Sequence, residues 1–83
     1  MGGYHEKEIK KGVIGEVSKI REELEELEDA LHQGCDIMAL VELSDMIGAI
    51  SLFLEKNFPT FSLADLEIMS QITQRAFKSG ARK

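Results

Sequence analysis

The chain has few of the residues that give very small proteins extra stability. Its 83 residues include one cysteine, Cys35, one proline and no tryptophan. A single cysteine excludes an internal disulfide and a zinc cluster of cysteines and histidines, and one proline excludes a proline-rich linker. A chain this short buries only about 60–65% of the surface that its unfolded form exposes. We therefore expect a single domain, residues 1–83, that oligomerises to complete its core.

Basic residues are also in the minority. Ten lysines and arginines stand against 15 aspartates and glutamates, which gives a net charge of −5. This balance disfavours general attraction to nucleic acid or to an anionic membrane, and we expect neither as a partner. The N-terminal residues lack the apolar core of a signal peptide, and a lone thiol is typical of a reducing compartment. We expect a cytoplasmic protein.

The spacing of apolar residues predicts an all-α fold that begins with a helical hairpin. Gly34 is expected to end the first helix. Asp36 is the expected N-cap of a second helix over residues 37–56, and the short connection makes the two helices antiparallel. The first helix carries an apolar stripe at spacings of three and four, which we expect to face the core: Val13, Val17, Ile20, Leu24, Leu27 and Leu31.

A third helix follows Pro59, which breaks the pattern. Ser62 and Asp65 have the spacing of a capping box, and Gly80 is expected to end the helix. The stripe of this helix consists of Leu66, Met69, Ile72 and either Ala76 or Phe77. Residues 1–12 are expected to form an N-terminal arm, and residues 78–83 a flexible tail.

The second helix is apolar on nearly all sides, so both of its faces need cover. Two other helices in so small a chain hardly supply that cover, whereas a partner subunit does. We therefore expect oligomerisation to complete a core like that of a four-helix bundle. A membrane span is the alternative on length, but Glu42 and Asp45 near the helix centre argue against it.

Glu42 and Asp45 are the only charged residues between positions 37 and 54. They are three residues apart and share one face of the helix. Burying two like charges among apolar neighbours is costly, and a bound cation removes that cost. The alternative is a narrow polar strip that points to solvent.

The first helix carries a matching pair of acids. Glu23 and Glu26, again three apart, form a strip with Glu16 and Lys19 on one flank of the apolar stripe, whereas Glu22 and Asp29 are expected to point away from the core. An antiparallel hairpin would bring Glu23 and Glu26 opposite Glu42 and Asp45. Four carboxylates from two helices would then enclose a site for a hard divalent cation. A solvated acidic face with pairs such as Lys19–Glu23 is the alternative.

These acids also carry a family resemblance. Residues 22–31, Glu-Glu-Leu-Glu-Glu-Leu-Glu-Asp-Ala-Leu, contain E-x-x-E, and residues 42–45, Glu-Leu-Ser-Asp, read E-x-x-D, with fifteen residues between Glu26 and Glu42. In this order and spacing they resemble the two motifs of the MazG-type all-α nucleoside triphosphate pyrophosphohydrolases. Residues 4–8 and 75–82 are similar to a short MazG-like subgroup, although this chain is shorter than many members of the family.

The resemblance implies an enzyme that cleaves a nucleoside triphosphate between the α and β phosphates to give a monophosphate and pyrophosphate, for control of the nucleotide pool. It implies Mg²⁺, with Mn²⁺ as a substitute, held by Glu23, Glu26, Glu42 and Asp45. It also implies a homodimer or homotetramer. Within that reading, Glu26 is the candidate proton acceptor of the catalytic step, and Glu22 is the second candidate.

Binding a triphosphate requires local positive charge. The candidate phosphate-binding residues are Lys19, Arg75, Lys78 and Arg82. For Arg75 and Lys78 the alternative is interaction with the negative end of the third helix's dipole. For the whole chain, the alternatives are a non-catalytic helical adaptor and a degenerate family member that binds nucleotide without cleaving it.

Overall fold

The computed structural model describes residues 8–80, and these residues form three α-helices and no strand. The helices are α1 (Val17–His32), α2 (Asp36–Asn57) and α3 (Leu63–Ser79). The all-α prediction is confirmed for this part of the chain. Arg82 and the first seven residues of the expected arm lie outside the described residues, and residues 8–12 are neither helix nor strand.

The turn between α1 and α2 makes the hairpin. Gly34 has a φ of +73°, and its N–H donates to the Leu31 carbonyl at 3.0 Å while the Cys35 N–H donates to the Ala30 carbonyl at 3.0 Å. These two bonds define a Schellman motif and confirm Gly34 as the stop of α1. The predicted cap of α2 is wrong by one residue. Cys35 is the N-cap, and Asp36 lies in the first turn, where its charge complements the helix dipole.

Residues 8–16 precede α1 and form a segment that we call the N-terminal strap. Val13 lies in this strap rather than in α1, which corrects the predicted start of the helix. The Val13 N–H donates to Ser18 Oγ at 3.0 Å, and Asn57 Nδ2 donates to the Gly15 carbonyl at 2.9 Å. The strap is therefore fastened both to the first turn of α1 and to the last residue of α2.

The buried residues of α1 and α2 are mostly small or acidic. The buried apolar residues are Ala30, Ala39, Ala49 and Leu54. The buried charged residues are Glu22, Glu23, Asp29 and Glu42. The predicted apolar stripe is only partly buried, because Ile20 and Leu27 are half-buried, whereas Val17, Leu24 and Leu31 are exposed. Alanines let the two helix backbones approach closely, so the acids that flank them are enclosed.

Apolar surface is left open on all three helices of the single chain. On α2 the exposed side chains include Ile37, Leu40 and Ile47. The capping box of α3 is confirmed, with the Ser62 N–H donating to Asp65 Oδ2 at 2.8 Å, yet α3 buries no residue and does not contact α1. The Cα radius of gyration is accordingly 14.5 Å, whereas a compact chain of this length has about 11.8 Å.

Among the described residues, α2 alone is long and apolar enough to cross a membrane. That property is weak evidence, since the core helices of soluble proteins share it. The helix also places the buried Glu42 near its centre, where a membrane span rarely tolerates a carboxylate.

Two glycine substitutions test the strap. A Cβ at Gly12 would overlap the backbone carbonyl of Ser18, whereas a Cβ at Gly48, inside α2, meets no atom within 4 Å. We expect Gly12→Ala to lower the free energy of unfolding by about 1–3 kcal/mol through overpacking. Gly48→Ala should raise it by about 0.5–1 kcal/mol, because alanine loses less backbone entropy in a helix. Urea denaturation followed by circular dichroism measures both; equal stability of Gly12→Ala and the wild type would contradict the described strap.

Candidate metal centre

Three carboxylates converge where α1 crosses the middle of α2. Glu23 from α1 and Glu42 and Asp45 from α2 each bring a carboxylate oxygen within 4.8 Å of the other two. The spacing of three residues puts Glu42 and Asp45 on the same side of α2, and the antiparallel hairpin places that side against Glu23. The expected juxtaposition of acids across the hairpin is present.

A second group of carboxylates adjoins the first. Glu22, Glu23 and Glu26 on α1 also have oxygens within 4.8 Å of one another. Glu23 belongs to both groups and joins them. All four residues predicted as metal ligands therefore lie in two linked groups, and Glu23 is the member that the groups of Glu26 and of Glu42 and Asp45 have in common.

Burial distinguishes Glu23 and Glu42 from a solvated acidic face, whereas Asp45 is exposed. Glu42 has an exposed fraction of 0% and Glu23 one of 4%. Glu23 Oε1 is buried and has no hydrogen-bond partner among the described residues. A buried carboxylate oxygen without a partner is costly, and carboxylates are the ligands that hard cations such as Mg²⁺ prefer. The donor set and the unsatisfied oxygen of Glu23 both suit such a cation.

Lys19 supplies the positive charge that the structure itself places among these acids. Its Nζ lies 3.2 Å from Glu22 Oε1 and 3.2 Å from Glu23 Oε2. Partial burial lowers the pKa of Lys19, but hydrogen bonds and charge attraction from the two glutamates outweigh it, so the pKa rises above its ordinary value of 10.5. The ammonium is therefore charged at neutral pH.

Glu22 is buried, which contradicts the expectation that it points away from the core. The Gly12 N–H donates to Glu22 Oε1 at 2.8 Å, and Lys11 Nζ lies 4.0 Å from Oε2. Burial raises the pKa of this carboxyl, but the Gly12 hydrogen bond and Lys19 outweigh it and bring the pKa below its ordinary value of 4.5. The apolar stripe that sets the predicted angle is only partly buried in the single chain, and the strap adds cover over Glu22 that helical periodicity does not predict. In the sequence, the glycines at positions 12 and 15 are the feature that indicates a segment folded over the start of α1.

Asp29 is a second acid whose predicted orientation is wrong. It was expected to point away from the core, yet it is buried, and its Oδ2 accepts a hydrogen bond from Gln33 Nε2 at 2.8 Å. Glu16 also departs from the predicted strip. It is the N-cap residue of α1 and lies near Lys56, with 3.9 Å between Glu16 Oε2 and Lys56 Nζ.

An open groove of about 360 Å³ adjoins the carboxylates. Ile14, Ala49 and Leu52 form an apolar part of its lining, and Lys19 and Asp45 form part of the polar lining. Apolar walls beside a few placed charges are typical of sites for small organic ligands.

The predicted basic residues of α3 are not brought to this groove within one chain. Arg75 and Lys78 are exposed on α3, which makes no contact with α1. Of the four candidate phosphate-binding residues, the structure places only Lys19 beside the acids, and Arg82 lies outside the described residues.

Comparisons with protein-family models, with curated proteins and with solved structures give no significant match to this chain. The site must therefore be interpreted from its own geometry and from the sequence motifs.

The low pKa of Glu22 predicts a pH dependence of stability. Ionised Glu22 stabilises the fold above its ordinary pKa of 4.5, and this contribution is lost as the pH falls through the lowered folded-state value. Between about pH 7 and pH 3 the wild type should therefore lose more free energy of unfolding than Glu22→Gln, which has no charge at this position to lose. Urea denaturation at both pH values measures this, and the exposed Glu67→Gln on α3 should follow the wild type. An equal loss in Glu22→Gln would contradict the assignment.

Proposed function

We propose that the chain is a Mg²⁺-dependent nucleoside triphosphate pyrophosphohydrolase that cleaves between the α and β phosphates and so controls the nucleotide pool. The observation that carries the proposal is the meeting of Glu23, Glu42 and Asp45 across the hairpin, with Glu23 and Glu42 enclosed. The order and spacing of the two acidic motifs support it, because these are the residues on which the resemblance to the MazG-type enzymes rests.

Glu23, Glu42 and Asp45 would hold the cation, with Glu26 beside them as the fourth ligand. Mg²⁺ keeps several waters and takes few protein carboxylates, so this donor set is sufficient for it, and Mn²⁺ would substitute. When bound, the cation neutralises the triphosphate and lowers the pKa of a bound water.

Among the acids, Glu26 is better suited than Glu22 to accept a proton. Glu22 is engaged by the Gly12 N–H and by Lys19, and its lowered pKa makes it a weak base. Glu26 is half-buried and belongs to the same group of carboxylates. We therefore assign proton transfer to Glu26 and a structural role to Glu22, which holds the strap.

The substrate would lie in the groove beside the acids, with its nucleoside against Ile14 and Leu52 and its phosphates near Lys19 and the cation. This groove is open to solvent, so the choice of base and sugar depends on what covers it. A second copy of the chain would provide that cover and could bring Arg75 and Lys78 to the phosphates.

The exposed apolar residues of α1, α2 and α3 support a homodimer or homotetramer. Seventeen large apolar side chains are exposed among the described residues, and burying them between copies of the same helices would complete a core like that of a four-helix bundle. We place the protein in the cytoplasm on the same grounds, with α2 covered by a partner subunit and not by lipid.

The second candidate function is a non-catalytic helical adaptor, and a nucleotide binder without activity lies between the two. The exposed apolar surface also favours an adaptor, since it serves assembly equally well. The acids separate the candidates: an enzyme depends on their charge, whereas an adaptor tolerates their replacement by amides.

The test is hydrolysis of a panel of ribo- and deoxyribonucleoside triphosphates with Mg²⁺ or EDTA, with the products resolved by ion-exchange chromatography. We expect Mg²⁺-dependent release of monophosphate and pyrophosphate. Glu42→Gln should lower kcat/KM by about a hundredfold or more, because it removes a buried ligand charge. Glu55→Gln, an exposed change on the same helix, should keep the activity.

Other outcomes of this assay would refute the proposed reaction or favour another function. Diphosphate and phosphate would show that a different bond is cleaved and would refute the proposed reaction. A folded oligomer without turnover would favour the adaptor or the inactive binder.

A further inference from the structure

Lys19 lies at the junction of the two carboxylate groups. Its position, three residues before Glu22 and four before Glu23, lets one ammonium reach both side chains. The Nζ is 3.2 Å from Glu22 Oε1 and 3.2 Å from Glu23 Oε2. Glu23 is the carboxylate that the two groups share, so this ammonium neutralises the acid on which both depend.

The Lys19 ammonium carries one positive charge, whereas the two groups contain several carboxylates. Lys19 engages Glu23 through Oε2, while the buried Oε1 of the same carboxylate has no hydrogen-bond partner among the described residues. Glu42 and Asp45 each bring a carboxylate oxygen within 4.8 Å of a carboxylate oxygen of Glu23. A divalent cation placed among the three acids would share the Glu23 carboxylate with the Lys19 ammonium.

We infer that Lys19 is a built-in competitor of the divalent cation and lowers the affinity of the site for metal. Two cations that share one carboxylate repel each other, so binding of the metal drives the ammonium away from Glu23. The displaced ammonium can move into the groove beside the acids, because the Lys19 side chain is 26% exposed and lines that groove. The inference rests on the metal site of the proposed function, but not on the reaction.

The test is Mn²⁺ binding to the full chain, measured without nucleotide by electron paramagnetic resonance of the free ion at fixed pH and low ionic strength. Lys19→Met should bind Mn²⁺ about tenfold more tightly than the wild type, because the competing charge is gone. Lys19→Arg, which keeps the charge, should remain within about threefold of the wild type. Lys56→Met is the matched control. It removes one positive charge beside the exposed Glu16 and should leave the affinity nearly unchanged.

Lys19→Gln protects the test against a folding defect, since its amide can still donate to the two glutamates. It should bind more tightly as Lys19→Met does. In both variants Mn²⁺ should also raise the Tm more than it does in the wild type, as linkage requires.

Affinity in Lys19→Met and Lys19→Gln that is equal to or weaker than the wild-type value would overturn the inference. Equal tightening in Lys56→Met would overturn it too, because net charge would then be the cause. Absence of Mn²⁺ binding in every variant would refute the metal site and the inference together. The expected order of affinities in a protein that hydrolyses no nucleotide would refute the proposed activity and support the inference.

Discussion

Burial of carboxylates between α1 and α2 is the constraint on which the structure of this chain depends. Ala30, Ala39 and Ala49 let the two helices pack closely, and that closeness withdraws Glu23 and Glu42 from water. Burying alanines contributes little hydrophobic stabilisation to offset the cost of burying the two glutamates. Lys19 and the Gly12 N–H engage Glu22 and one oxygen of Glu23, and the other oxygen, Glu23 Oε1, is the one that a divalent cation would satisfy. The strap, the ion pairs of Lys19 and the proposed metal site would each lower the free-energy cost of burying these carboxylates.

The same arrangement explains why the single chain leaves its apolar residues exposed. With Glu22, Glu23 and Asp29 of α1 buried, Leu24 and Leu31 are exposed, and α3 buries no residue. Burying four acids beside four apolar residues, while many large apolar side chains stay exposed, departs from the usual arrangement of a small domain. In the proposed oligomer, copies of the chain would cover these exposed apolar side chains and restore the usual arrangement.

The sequence was sufficient for the local elements and for the pairing of acids. Gly34, Ser62 and Gly80 act through local backbone geometry, and their roles were confirmed. The spacing of Glu42 and Asp45 and the short hairpin predicted their position opposite Glu23. The orientations of Glu22 and Asp29 were wrong, because they were measured from an apolar stripe assumed to face the core of the same chain. That stripe says which face is buried, but not whether the same chain or another copy buries it. The fold of the strap over Glu22 depends on long-range hydrogen bonds that periodicity does not contain.

The central claim is that Glu23, Glu42 and Asp45 form a cation site between the helices. A crystal of the protein grown with Mn²⁺, with anomalous diffraction recorded at the manganese absorption edge, tests it most directly. We expect one strong anomalous peak at about 2.1 Å from carboxylate oxygens of these residues, with water completing the coordination. Well-ordered carboxylates without such a peak, or manganese bound only to exposed acids such as Glu55 or Glu67, would contradict it.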